Sequence, residues 1–384
     1  MRDFTYGNPT RILFGRGQIE QLAREVPAGA RVALLTGAGS IRNNGVYDQV
    51  KAALGERLVS EFWNIEPNPD VLTVVRAVTQ IRADRVDFLL AVGGGSVVDT
   101  AKAAAGLALT EGDAWTILSK GARFTAVLPL GVVLTLPGTG SEANQAAAIG
   151  NRATSQKIVF LNPGCFPRFA VLDPLTTYSL PPRQVGNGVV DAFVHVLEQY
   201  LTFPVGGALQ DRLAEAILAT LLEFGPLTLE KPDDYEARAN VMWAATLALS
   251  GLIGAGVPQD WTTHNLGHEL TALFGLDHAR SLAAVLPSVL EVRREQKQQK
   301  LLQYGARIFG IRDGDETARA SAAIARTAAF FEQMGLPTRL SAYGIGEEAI
   351  PRVIDQLKAG RRLRMGERLD VTLEHARAML TRAL

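Results

Sequence analysis

The stretch DFLLAVGGGSVVDTAK, residues 87–102, is the one on which the reading of the fold turns. An unbroken apolar run, Phe88–Val92, ends in three glycines and passes directly into a helix-forming segment. Apolar runs without alternation mark strands buried on both faces, as in parallel sheets. Glycines let a backbone come close to a phosphate. A helix starting behind them points free N–H groups and the positive end of its dipole at an anion. Ser96 reads as the N-cap, with Asp99 three residues on, as in a capping box. A tight strand-to-helix turn with no ligand is the plainer alternative.

The pattern recurs on both sides of this stretch. RVALLTG (31–37) and GVVLTLPGTG (131–140) are also apolar runs ending in glycine. Helix-like segments such as GVYDQVKAALGE (45–56) and DVLTVVRAVTQIRA (70–83) lie between them. Right-handed crossovers then generate an open, doubly wound parallel sheet. TGAGS (36–40) and TLPGTGSEAN (135–144) are two further turns at strand ends. Each alone is explained equally well as a plain connection. Three such turns on one sheet edge favour a dinucleotide over a single phosphate.

The first turn also bears on which dinucleotide. An NAD site usually has an acidic residue near the first strands to hold the ribose 2′-hydroxyl. TGAGSIRNNG (36–45) has no Asp or Glu. Gly37, Gly39 and Ser40 leave room for a 2′-phosphate, and Arg42 offers charge, which points to NADP(H). A solvent-facing Arg42 is the alternative.

Beyond Leu180-Pro181-Pro182 strand-like runs largely vanish. Long segments follow, such as LQDRLAEAILATLLEF and ARASAAIARTAAFFEQMG, with apolar residues at three- and four-residue spacing. The expected organisation is an α/β Rossmann-like domain with a parallel sheet, residues 1–180, and an all-α domain, residues 181–384. EVRREQKQQK (291–300) reads as a solvated helix face.

The helical half holds an unusual concentration of histidine. Of five histidines, His264, His268 and His278 fall within TTHNLGHELTALFGLDH (262–278). On one straight helix His264 and His278 would stand about 21 Å apart, at about 1.5 Å per residue. To share a metal the chain must turn back, and Gly275 is the natural place. In VVDAFVHVLEQ (189–199), Asp191 and His195 share one face of a very apolar helix. They could simply satisfy each other, since buried polar groups need partners. One Asp oxygen with three His nitrogens also makes a set suited to Zn²⁺ or Fe²⁺. The spacing does not choose between His268 and His278 as the last donor. His375 reads as a surface residue.

Composition excludes several classes. Lys plus Arg and Asp plus Glu both number 39, so no bulk charge favours nucleic acid or a membrane surface. No run of about 18 apolar residues is present to span a bilayer. MRDFTYGNPT (1–10) has no apolar core of the kind a secretion signal needs. Cys165 is the only cysteine, which rules out an internal disulfide and reads as a small buried residue. The expectation is a soluble cytoplasmic protein.

Asp191-x3-His195, His264-x3-His268-x9-His278, GGGSVVDTAK and TLPGTGSEAN together resemble the iron-containing (group III) alcohol dehydrogenase superfamily over essentially the whole chain. NGVVDAFVHVLEQY and GVPQDWTTHNLGHELTALFGLDHA look most like its NADPH-dependent, butanol dehydrogenase-like aldehyde reductases. The resemblance implies one divalent metal, Fe²⁺ or Zn²⁺, on Asp191, His195, His264 and His278. His268 would then be a catalytic residue in the substrate cleft. It implies phosphate contacts from Gly94, Gly95 and Ser96. Asp99, Thr135, Thr139 and Asn144 would line the ribose and nicotinamide, with Lys157 reaching the cofactor from across a cleft between the domains. The implied partners are a small aldehyde or alcohol and a second copy of the chain in a homodimer. Rival readings are an NAD-dependent polyol dehydrogenase of the same architecture, a metal-dependent hydrolase, and a metal-binding protein without catalysis.

Overall fold

A computed structural model describes residues 1–384. It divides into two compact units, neither of them one continuous stretch of chain. The sheet unit comprises Gly7–Pro181 and Pro232–Thr246. The helical unit comprises Met1–Tyr6, Pro182–Lys231 and Leu247–Leu384.

The sheet unit is built on six strands: β1 (Arg11–Phe14), β2 (Val32–Thr36), β3 (Leu58–Phe62), β4 (Phe88–Gly94), β5 (Leu130–Leu136) and, after a hairpin, β8 (Phe169–Leu172). The hairpin, β6 (Ala146–Asn151) with β7 (Gln156–Leu161), stands outside the main sheet. The sheet order is β1-β8-β5-β4-β2-β3, with every neighbouring pair parallel. Successive strand residues point to opposite faces, and here both faces are buried. Ala33, Leu35, Leu89, Ala91, Val132 and Leu134 enter one core, with Val97, Ala101 and Ala104 of the Gly95–Leu107 helix. Val32, Leu34, Phe88, Leu90, Val92 and Val133 enter the other, with Val46, Val50 and Leu54 of the Val46–Leu54 helix. That double burial is why the strands read as unbroken apolar runs.

From β2 the chain continues to β3 on one side, and from β4 to β5 on the other. The order therefore reverses between β2 and β4, and ligands of open α/β sheets bind beyond the carboxyl ends of such a pair. The turns at Gly37 and at Gly93–Gly95 lie at those two ends.

One local expectation is corrected. Ser96 is not the N-cap: the helix begins at Gly95, Gly94 caps it, and no side chain closes the cap. At this turn strand and helix approach closely. A Cβ on Gly93 would stand 2.6 Å from Val97 Cγ2, and one on Gly95 2.5 Å from the Thr139 side chain. Packing alone therefore demands two of the three glycines, with or without a phosphate.

The helical unit contains the helices Pro182–Tyr200, Ala208–Glu230, Thr262–Phe274, His278–Val292, Arg294–Ile308, Glu316–Gln333, Ala349–Ala359 and Leu373–Ala383, and a two-residue ladder between Arg364–Met365 and Val371–Thr372. No helix is long and apolar enough to cross a membrane. EVRREQKQQK is not simply a solvated face. Arg293, Lys297 and Lys300 are buried, paired respectively with Asp370, with Asp260 and Glu367, and with Asp211. Those carboxylates are distant in sequence, so the local charge run could not reveal them. His375 is also tied in, forming a capping box with Thr372 at the start of the last helix.

Candidate active site

The Pro182–Tyr200 helix is buried from Val185 onward. Its Asp191 and His195 lie one turn apart, with Asp191 Oδ1 3.9 Å from His195 Nδ1. The Thr262–Phe274 helix supplies His264 and His268. It ends at Gly275, whose φ of +67° is the left-handed conformation that favours glycine. The chain then reverses, as a metal shared by His264 and His278 would require, and Asp277 stands at the N-cap position of the helix that begins with His278, with no side-chain bond to the helix start. His278 Nε2 comes to 3.8 Å from Asp191 Oδ1.

One donor atom each from Asp191, His195 and His264 lie within 4.8 Å of one another, and all three residues are buried. Around this group the His264 ring stands 4.6 Å from that of His195 and 5.3 Å from that of His278, centroid to centroid. The His268 ring stacks on His278 at 5.0 Å and lies 6.0 Å from His264. A carboxylate oxygen with imidazole nitrogens at this separation fits a divalent borderline cation.

The helices that carry these residues are braced by groups the sequence reading passed over. Glu198 accepts from the backbone N–H of Thr263 at 2.6 Å and of His264 at 3.2 Å, and pairs with His264 Nδ1. Burial, then the neighbouring Asp260 carboxylate, pushes the Glu198 carboxyl above the usual range. Asp260 is itself held 2.7 Å from Lys297 Nζ. Asp277 accepts from Arg183 Nε at 2.9 Å and Asn187 Nδ2 at 3.0 Å. The sequence did hold a signal for Glu198: Asp191, His195 and Glu198 follow i, i+4, i+7, which is one face of a helix. Phe193, on the same helix, packs on Phe330 and Phe331. Trp261 is near, its ring 5.2 Å from His264 and 6.3 Å from His195.

In the sheet unit, Gly94, Gly95 and Ser96 form the start of the Gly95–Leu107 helix, against Thr139. Lys157 on β7 donates to Asn68 Oδ1 at 2.8 Å, and the Asn68 N–H donates to Ser96 Oγ at 3.3 Å. The hairpin thus brings Lys157 to this turn. At the end of β2, Gly39 has φ +103° and Ser40 opens a short helix, while Gly37 leaves ordinary space for a side chain. The Arg42 guanidinium lies 3.8 Å from the Trp63 ring centroid. Glu61, the acidic residue on β3, accepts from Tyr47 Oη and Trp63 Nε1, each at 2.8 Å.

Thr135 lies buried on β5. Asp99 and Asn144 have their polar atoms engaged within the protein. Asp99 accepts from Ser141 Oγ at 2.7 Å and the Ala148 N–H at 3.0 Å. Asn144 Oδ1 accepts from Lys102 Nζ at 3.1 Å and its Nδ2 donates to Gly140 O. Lys102 is fully buried and also donates to Ser141 Oγ and Ala146 O. Burial pushes its ammonium down to about 8, against the opposing pull of Asp99. The sequence reading missed Lys102, although it sits in the quoted stretch, because a lone Lys on a small-residue helix carries no spacing signal.

Residues 9–174 match the model of the iron-containing alcohol dehydrogenases, and residues 186–383 match that of the C-terminal region of the Fe-containing alcohol dehydrogenase family. The chain belongs to the iron-containing alcohol dehydrogenase family. It is accordingly an oxidoreductase. It is 52% identical, over 98% of each chain, to the NADPH-dependent aldehyde reductase YqhD of Escherichia coli K12. The crystal structure of E. coli K-12 YqhD superposes with a TM-score of 0.98, covering 100% of this chain and 99% of that one. A NADH-dependent butanol dehydrogenase A from Thermotoga maritima superposes with a TM-score of 0.95 at 34% identity, over 100% and 99% of the two chains.

Proposed function

We propose that this chain reduces short and medium aliphatic aldehydes to alcohols with NADPH, reversibly, at one Fe²⁺ or Zn²⁺ held by Asp191, His195, His264 and His278. Aldehyde, NADPH and one proton give alcohol and NADP⁺. The observation that carries this is the convergence of Asp191, His195 and His264 donor atoms within 4.8 Å, in a chain 52% identical to an aldehyde reductase. When bound, the metal supplies Lewis-acid polarisation of a carbonyl oxygen and the reduced nicotinamide supplies the hydride.

The chain's own residues do the rest. Asp191 contributes the negative charge of the donor set. His268, stacked on His278, supplies the proton that the alcohol oxygen requires. Trp261 offers an apolar surface beside His264, where the hydroxyls of a polyol would go unpaired. Gly94, Gly95 and Ser96 receive the cofactor phosphates at the helix start, with Lys157 beside them; Thr139 packs against Gly95. Thr135 lines the ribose and nicotinamide portion, while Asp99 and Asn144 stiffen that wall from within.

NADPH preference is supported by the end of β2. Gly37, Gly39 and Ser40 make room for a 2′-phosphate and Arg42, held over the Trp63 ring, supplies charge. Glu61, which could have held a ribose hydroxyl, is occupied by Tyr47 and Trp63. The family resemblance also supports a homodimer, which sedimentation of the purified chain tests, and the composition supports a cytoplasmic protein. The deciding experiment measures kcat/KM for butanal with NADPH and NADH, and for glycerol with NADP⁺ and NAD⁺. Butanal with NADPH should be the best pair. A glycerol rate equal to the butanal rate would move the assignment to a polyol dehydrogenase, and equal rates with both reduced cofactors would remove the NADPH preference.

A further inference from the structure

The Thr262–Phe274 helix is capped locally at its first N–H alone, which Asp260 accepts. The residue before it, Trp261, has φ +63° and makes no side-chain bond to the helix start. The first N–H groups of a helix need partners when buried, and Thr262, Thr263 and His264 are buried. The Thr262 N–H donates to Asp260 Oδ1 at 3.0 Å; for Thr263 and His264 the partner is Glu198, from the helix that carries Asp191 and His195. Its carboxylate accepts from the Thr263 and His264 N–H groups and also engages the His264 ring at Nδ1. One carboxylate thus fixes both the backbone that presents His264 and the ring itself. With Nδ1–H given to Glu198, Nε2 is the nitrogen left to act as a ligand, since the partner of one ring nitrogen sets the role of the other.

We propose that Glu198 is a positioning residue for the metal centre, capping the His264 helix across the bundle and holding His264 in the tautomer that presents Nε2. The inference rests on the reading of His264 as a metal ligand. It places three of the residues that build the centre on one helix face, Asp191, His195 and Glu198, so that a single rigid element carries two donors and aims a third. The backing is continuous: the Asp260 N–H donates to Glu198 O at 2.9 Å, and Asp260 is anchored by Lys297.

The test uses the full chain and Zn²⁺ as the probe, with affinity measured by chelator competition. Glu198→Gln keeps the side-chain shape, but its amide N–H₂ can meet Nδ1 only as a donor, which favours the opposite tautomer. Zn²⁺ affinity should fall by about 10–100-fold, while NADPH affinity, read from tryptophan fluorescence, should stay within twofold and so report an intact fold. A Glu198→Gln affinity for Zn²⁺ within twofold of wild type would overturn the proposal. A second measurement needs no variant at position 198. In ¹⁵N-histidine-labelled wild type, with the His264 signals assigned through His264→Asn, Zn²⁺ should move the Nε2 resonance while Nδ1 keeps its proton. Coordination through Nδ1 would overturn the proposal too. Failure of the wild type to bind Zn²⁺ at all, or an Asp191→Ala variant that binds as tightly as wild type, would sink the metal-centre reading itself rather than the role of Glu198.

Discussion

At the carboxyl ends of β2 and β4 the groups on offer are backbone amides, presented by glycine turns that each occupy a few consecutive residues. At the Asp191 cluster they are side chains, drawn from three helices and spanning residues 191–278. The first kind of site is written into a short stretch, because a glycine turn and the helix behind it form wherever that stretch folds. The second exists only when three helices pack, and it needs braces such as Glu198 and Asp277 that have no meaning in isolation. The two should therefore fail differently: the helical site abruptly on loss of one donor, the sheet site gradually as its walls are altered.

The sharpest break in this contrast is His264→Ala. It removes a donor and leaves the Glu198 carboxylate buried beside an empty volume. Bound metal should be lost, and kcat should fall on the order of 10³-fold, as expected when several kcal/mol of charge stabilisation disappear at about 1.4 kcal/mol per tenfold. Elemental analysis of the purified variant with single-turnover kinetics checks this. A variant that keeps stoichiometric metal would end the four-donor assignment.

His268→Ala probes the same region without touching the donors. It should retain metal and lose about 100-fold in kcat, the low end for a positioned proton donor. If it loses the metal while His278→Ala keeps it, the two histidines have exchanged roles.

On the sheet side, Gly37→Asp places a carboxylate where backbone space already exists, so the fold should hold. Repulsion of the 2′-phosphate should cut kcat/KM with NADPH by about tenfold, or about 1.4 kcal/mol, with NADH little changed. Unaltered discrimination would remove the turn after β2 from the specificity site.

The smallest effect concerns Lys102, the buried strut behind the turn after β5. Lys102 has its folded pKa lowered to about 8 by burial, from an ordinary 10.5. The unfolded chain therefore holds more protons on this group between those values, and stability from it rises with pH through that window. Below pH 8 the full cost of burying the charge is present. Measured against Lys102→Met, the wild type should gain in melting temperature from pH 8 to 10.5. A difference that stays flat would show that Lys102 titrates normally.

Much of this protein is readable in one dimension. The parallel sheet follows from Phe88–Val92 and its companions, since strands buried on both faces must be apolar throughout. The return of the chain at Gly275 is expected if His264 and His278 share a metal, since a straight helix would hold them far apart, and Gly275 is the residue type that such a return favours. Tertiary structure alone decided the rest. Two of the three glycines, Gly93 and Gly95, are demanded by Val97 and Thr139 as much as by any phosphate. Arg293, Lys297 and Lys300, apparently one solvated run, are buried against carboxylates from elsewhere in the chain. The Met1–Tyr6 and Pro232–Thr246 segments join units to which chain order would not assign them. Glu198 becomes a cap only because another helix begins beside it and turns the Thr263 and His264 N–H groups toward it. Periodicity and turn chemistry act over a few residues and leave their mark in the sequence. The pairing of a buried charge, or the filling of a gap by one atom, depends on which distant segment arrives there, and that is settled when the elements pack.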